Sequence, residues 1–184
     1  MPSSHDYIKD KRNKNIKIFV NDKFYTRDKA QVSVFDSGFL LGDGVWSGIR
    51  YHNNKFLFLK DHLKRLFDDA KKIDLKIHLS KKEITKILSD TIKINKMKTD
   101  VHLRLVVSRG IKSTPYQDPA FTISKPTIVV IPEYKQPQES VYKKGLVLKT
   151  VKTIRGPHNV QDPRINSLSK LNCIIACIEA KKQN

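Results

Sequence analysis

The chain has 184 residues, 39% of them apolar, which is enough to bury one good-sized core or two small ones. Its formal net charge is +18, but the lysines are spread in ones and twos, with the main cluster, Lys9 to Lys17, in a polar N-terminal stretch; specific nucleic-acid binders concentrate charge on one face, so nucleic acid is not an expected partner. No apolar run approaches the ~18 residues a membrane span needs and no apolar segment opens the chain, so the expectation is a cytoplasmic protein with no membrane partner.

Residues 1–15, "MPSSHDYIKDKRNKN", read as a polar basic tail. "IKIFV" and "KFYT" flank Asn21-Asp22, a turn-favouring pair, and predict a hairpin. "QVSVFD" follows as a strand, then the glycine-rich "SGFLLGDG", then the strand "VWSGIRYH", which Asn53-Asn54 turns into "KFLFL". These short turns predict a meander of antiparallel strands. From Leu59 the period changes: Leu59, Leu63, Leu66, Phe67, Ala70 and Ile73 recur at helical steps among Lys, Arg and Asp. A second helix opens at Ser80, with Glu83 placed to complete a capping box. "VHLRLVVSRG" and "PTIVVIPEY" are two further strands, separated by a long polar loop holding Pro115, Pro119 and Pro126.

Residues 16–134 therefore read as a small N-terminal domain of antiparallel strands with two helices, and 135–144, "KQPQES" with Pro137 at its centre, as a linker. Residues 145–184 add one strand, "GLVLKTVKTIR", and one helix from about Asn166 to Lys182. The fold class is α+β or α/β. One strand and one helix cannot enclose a core, so this last part is expected to be the start of a second, incomplete domain or to pack back on the first. Cys173 and Cys177 lie four apart among Ile174, Ile175 and Ile178 and are expected to be buried thiols; two cysteines without a nearby histidine do not make a metal site.

Two arginines are candidates for binding an anion. Arg50 ends "VWSGIR", and with "GDG" at 42–44 it marks either a place where backbone and guanidinium meet an anion or an ordinary solvent-facing strand arginine. Arg109, followed by the loop "IKSTPYQDP", could hold a substrate carboxylate or simply close a strand. Spacing decides neither.

The order of features is more specific. "VFDSGFLLGDGVWSGIR", "FLFLKDHLKRLFDDAKKI", "LRLVVSRG" and "DPRINSLSKLNCIIACIEA" resemble, in sequence and spacing, the class IV aminotransferases, the fold-type IV enzymes that use pyridoxal 5'-phosphate. This group includes branched-chain and D-amino-acid aminotransferases and aminodeoxychorismate lyase. The resemblance covers nearly all of residues 16–184 and implies pyridoxal phosphate as cofactor, amino-acid and 2-oxo-acid substrates, and a homodimer. It implies that Arg50 binds the cofactor phosphate and that Trp46 takes the place of an aromatic residue lining the pocket. Ser47 stands where many members have Glu, and His62 and Arg65 match an "H..R" pair read as structural, with Arg65 expected to pair with acidic neighbours. The "GIR" ending leans weakly toward branched-chain substrates.

The family's Schiff-base lysine falls in a pattern close to "IKSLNYLNNVLAKIEA", and the gapless alignment with "INSLSKLNCIIACIEA" puts Asn166 at that position. An amide can neither form the imine nor carry the proton between substrate and cofactor. Lys170 is the candidate replacement: on a helix beginning near 166 it would share a face with Asn166 about 6 Å along the axis, its side chain leaning back toward the N-terminus. The plain alternative is an exposed lysine in a lysine-rich chain. The resemblance also places further cofactor contacts in chain beyond the lysine helix. The two functional expectations are thus an aminotransferase and a catalytically inactive relative that binds a ligand or partner.

Overall fold

The computed structural model describes residues 9–136 and 138–183, so the expectations for most of the basic tail and for Pro137 lie outside the described residues. The described chain divides into two compact units. One holds Asp10–Lys135 together with Ile165–Ser169, and the other holds Gln136–Arg164 and the segment from Lys170 onward.

The larger unit is built on a six-stranded antiparallel sheet in the order β2-β1-β6-β5-β3-β4. β1 (Lys17–Val20) and β2 (Lys23–Thr26) form the expected hairpin, with Asn21 left-handed in the turn. The short helix α1 (Ser37–Leu41) precedes β3 (Gly44–His52), and Asn53 and Asn54, both at positive φ, turn it into β4 (Lys55–Phe56). Helices α2 (Leu59–Lys72) and α3 (Lys81–Ile94) follow, then β5 (Val101–Ser108) and β6 (Thr127–Tyr134). The capping box at the start of α3 is present: Glu83 N donates to Ser80 Oγ at 3.2 Å, and Ser80 N donates to the Glu83 carboxylate at 2.7 Å.

Strand alternation and helix periodicity meet in one core. Val45 and Ile49 of β3, Val101, Leu103, Leu105 and Val107 of β5, and Ile128 and Val130 of β6 are buried against Leu63, Leu66 and Ala70 of α2 and Ile84 and Leu88 of α3. The sheet is not a simple meander, however. β5 enters between β3 and β6, and β1 pairs with β6, because the two-helix excursion lets β5 pair with β3 rather than with β4, the strand before it in sequence. "QVSVFD" is not a strand either. Its polypeptide makes only an isolated bridge, Asp36 with Ile111, and the Asp36 carboxylate accepts from Gly38 N at 2.8 Å to start α1. Residues Lys11–Asn15 form a 3-10 turn in which the Asn13 side chain exchanges hydrogen bonds with the Tyr134 backbone, so this part of the basic stretch is folded.

In the smaller unit α4 (Glu139–Lys144) occupies part of the stretch read as linker, and the expected strand at 145–155 does not form. The amides of Lys152 and Thr153, which a sheet ladder would have used, donate instead to the Glu179 carboxylate at 2.6 and 3.0 Å. The last helix, α5, spans Leu171–Lys182 and starts five residues later than the alignment pattern implied. Cys173 and Cys177 on it are exposed rather than buried, as are Leu171, Ile174, Ile175 and Ile178 around them. Among the described residues no helix is long and apolar enough to cross a membrane.

Candidate functional site

Alternation along β3 separates two sets of side chains. Val45, Ser47, Ile49 and Tyr51 point to the helices, so Trp46, Gly48 and Arg50 share the opposite face. Across the ladder Trp46 pairs with Val106, Gly48 with Arg104 and Arg50 with His102, which brings an arginine and a histidine of β5 onto that same face. The Arg104 guanidinium lies 4.2 Å from the centroid of the Trp46 ring. His102 occupies the space over Gly48: a Cβ there would sit 2.7 Å from His102 Nε2, so the imidazole fits because position 48 has no side chain. Arg50 Nη1 donates to the Lys135 carbonyl, which anchors the guanidinium, and among the described residues its other nitrogens have no partner. A planar fork held at one corner with N–H groups to spare can take a phosphate.

Asn166 reaches this face by an unexpected route. Ile165–Ser169 is not helical but runs antiparallel beside the first half of β3, where β4 is too short to cover the edge. Trp46 N donates to Asn166 O at 3.0 Å, Leu168 N to Gly44 O at 2.9 Å, and Ser167 bridges Val45. Asn166 is therefore opposite Trp46, and its Nδ2 donates to the Trp46 carbonyl at 2.8 Å. On the outer side Asn166 N donates to Asp69 Oδ2 at 3.1 Å; Asp69, 2% exposed on α2, is a buried carboxylate whose other oxygen faces Lys72 Nζ at 3.5 Å.

The "SGFLLGDG" stretch serves the same segment. A Cβ on Gly44 would meet Val107 O at 2.5 Å and Leu168 Cδ1 at 2.7 Å, and one on Gly38 would meet Leu168 Cδ1 at 2.9 Å. The glycines admit Leu168 rather than an anion. Gly44 also stands six residues, about 20 Å of strand, from Arg50, so "GDG" and Arg50 do not form one site.

Arg109 is engaged elsewhere. Nε and Nη2 donate to the two Asp43 oxygens at 2.6 and 3.0 Å, Nη1 to Asp74 O at 2.9 Å and Nη2 to Ile73 O at 2.8 Å, which uses four of the five N–H groups a guanidinium carries. Lys170 is the N-cap residue of α5, in the unit that does not contain Asn166; the two are not joined by a helical turn.

On the helix side of β3, Ser47 is fully buried, 3.1 Å from His62 Nδ1, and Arg65 Nη2 donates to its hydroxyl at 3.5 Å. The "H..R" pair thus converges on Ser47. Arg65 does not pair with acidic neighbours: among the described residues no carboxylate lies within 4.0 Å of it. Burial, and secondarily the Arg65 guanidinium, hold the His62 imidazole below the usual histidine value.

Arg104, His102 and Asp69 were not singled out in the sequence. The alternation of "VHLRLVV" places His102 and Arg104 on one face, but only the register against β3 shows that this face carries Trp46 and Arg50.

The model of the family "Amino-transferase class IV" matches residues 44–184. A putative branched-chain-amino-acid aminotransferase of Methanocaldococcus jannaschii is 38% identical over 165 residues, covering 90% of this chain and 56% of that protein. A branched-chain-amino-acid aminotransferase-like protein of Arabidopsis thaliana is 36% identical over 94% of this chain and 31% of its own length. Among solved structures, the branched-chain aminotransferase of the thermophilic archaeon Thermoproteus uzoniensis with norvaline superposes with a TM-score of 0.77 at 23% identity, covering 92% of this chain and 57% of that one; the likeness is one of fold. The chain spans about half the length of the first of these relatives and of this structure. Its antiparallel sheet with helices matches the N-terminal part of that structure, and with the family model covering most of its length, the chain belongs to the class IV aminotransferases.

Proposed function

We propose that the chain forms the sheet-bearing part of a pyridoxal 5'-phosphate-dependent aminotransferase that moves an amino group between an amino acid, branched-chain by weak preference, and a 2-oxo acid. The observation that carries this reading is the meeting of Arg50, Trp46, Arg104 and the Asn166 position on one face of the sheet. Arg50 supplies the donors suited to the cofactor phosphate. Trp46, with the Arg104 guanidinium over its ring, gives an aromatic wall for a planar ring, and the positive charge of Arg104 and Arg50 draws a carboxylate to the same face. When bound, the cofactor supplies the electron sink for breaking bonds at the amino-acid carbon. Lys170 is the candidate amine for attaching it and for moving the proton.

Mixing the whole chain with pyridoxal phosphate, reducing with borohydride and locating the modified peptide by mass spectrometry tests this. The expected result is a visible absorbance change, a reduced adduct on Lys170 that Lys170→Ala removes, and at least about tenfold weaker cofactor binding by Arg50→Ala. A chain that binds no cofactor would end the reading.

The geometry of Asn166 favours a second reading, in which a ligand or partner is bound without transamination. On the gapless alignment the amide stands at the family's lysine position, and its Nδ2 donates to the Trp46 carbonyl at 2.8 Å. That reading expects Lys170→Ala to change nothing and Asn166→Lys to gain a borohydride-trapped adduct at residue 166.

We further propose a cytoplasmic homodimer. Val34, Phe35, Phe39, Tyr116, Phe121 and Ile123 are exposed, and the Asp36–Ile111 bridge with the Lys112 N to Phe35 O bond brings the two segments that carry them together. Sedimentation equilibrium reads the mass; a monomer at all concentrations counts against it.

A further inference from the structure

On the helix side of the sheet, where α3 leads into β5, a cavity of about 460 Å3 opens between β3, β4 and α3. It is separate from the face that carries Arg50, because Tyr51, which forms part of its floor, points the other way along β3. Tyr51, Phe56, Ile92 and Met97 make an apolar floor in which the two aromatic rings are tilted against each other with centroids 4.8 Å apart. The rim has the opposite character. Lys93, Lys96 and Lys98 stand around the opening, all exposed, and among the described residues none lies within 4.0 Å of a carboxylate.

The nearby acids have other partners. Asp90 on the same helix is taken by Lys86 at 2.6 Å, and Asp100 by His52 at 3.0 Å. Three lysines lining one mouth, none with a carboxylate within 4.0 Å among the described residues, make the opening positive and favour an anion there. The turn that carries them is also fixed: Lys96 is held at φ 52°, and Asn54 N donates to Lys98 O at 2.8 Å, tying the lysine-bearing loop to the β3–β4 turn. The volume is that of a small-molecule site, with an apolar floor and a few charged groups at its edge. Lysine binds phosphate as a point charge, and three such charges suit a dianion better than a single carboxylate.

We propose that this cavity binds a small phosphomonoester carried on a planar aromatic body, the ring on the Tyr51 and Phe56 floor and the phosphate among Lys93, Lys96 and Lys98. Nothing in the transamination reading requires this site, and the two stand or fall separately.

Titrating the whole chain with 2-naphthyl phosphate while following amide NMR shifts tests the proposal, with 2-naphthol, 2-naphthoate and inorganic phosphate as comparison probes. Saturable shifts centred on Asn54, Ser89, Met97 and Lys98 are expected, with affinity at least about tenfold above that of each comparison probe and falling as salt is raised. Lys93→Gln/Lys98→Gln should weaken binding at least about tenfold, while the charge-matched Lys81→Gln/Lys82→Gln, outside the cavity on the same helix, should leave it unchanged. Equal losses in both double variants, or shifts spread over α5 instead, would overturn the site. Equal affinity for the naphthoate would overturn the dianion assignment.

Discussion

At the scale of single residues, position 44 shows why a glycine was needed where the sequence suggested an anion loop. The strand begins there, and the space a side chain would fill is closed by backbone, the Val107 carbonyl at 2.5 Å and Ser108 Cα at 2.8 Å, with Leu168 Cδ1 also against it at 2.7 Å. Gly44→Ala is expected to destabilise the chain by about 1–3 kcal/mol, through overpacking that also pushes the Asn166 segment off the sheet edge. Urea or thermal unfolding measures it, and an unchanged midpoint would mean that the segment is held by other contacts. His62 gives a pH-dependent counterpart. Burial, then Arg65, lowers its pKa from 6.5, and burial, then Lys125, does the same to His78. The unfolded chain then takes up the proton more readily than the folded one, so these histidines contribute full stability above 6.5, and that contribution is lost as pH falls through 6.5 toward the folded values. The urea midpoint should be lower at about pH 5.5 than at about pH 7.5, and His62→Asn should shrink the difference, leaving the part due to His78.

At the scale of elements, α5 is the clearest departure from expectation. Its apolar residues run around the helix and read as a buried segment, yet Ile174, Ile175 and Ile178 are each about half exposed and both thiols are open to solvent. The helix is held in its unit by polar contacts: Glu179 accepts from Lys152 and Thr153, and Asn172 Nδ2 donates to Ile154 O at 3.1 Å. Cys173 and Cys177 should therefore both react with a disulfide reagent in native buffer as fast as in denaturant. Protection of either thiol would show that something covers this face in solution. By contrast α2 and α3 formed where their 3.6-residue pattern and the Ser80–Glu83 box placed them, because a helix with one apolar face needs only a sheet to lie against, and the strands supply one.

At the scale of the whole molecule, the two units differ in what holds their backbones. β3, β5 and β6 are paired along eight-residue ladders with a continuous core behind them, whereas residues 145–155 have no ladder. Amide exchange should be slowest in β5, which is paired on both sides, and fast throughout 145–155; protection there equal to that of β5 would mean a strand partner exists in solution. Much of this was legible in the residues alone. Turn pairs such as Asn21-Asp22 and Asn53-Asn54, alternation in "VHLRLVVS" and the helical periods depend on contacts a few residues apart, and the four motifs in order carried the family. Strand order, the register that sets Arg104 and His102 beside Trp46 and Arg50, and the docking of Ile165–Ser169 against β3 were decided only in the tertiary structure. The β3–β5 and β1–β6 pairings and the docked segment join residues from 50 to more than 100 positions apart, where local preference is silent and the pairing is chosen by which edge is open and which buried groups still need partners.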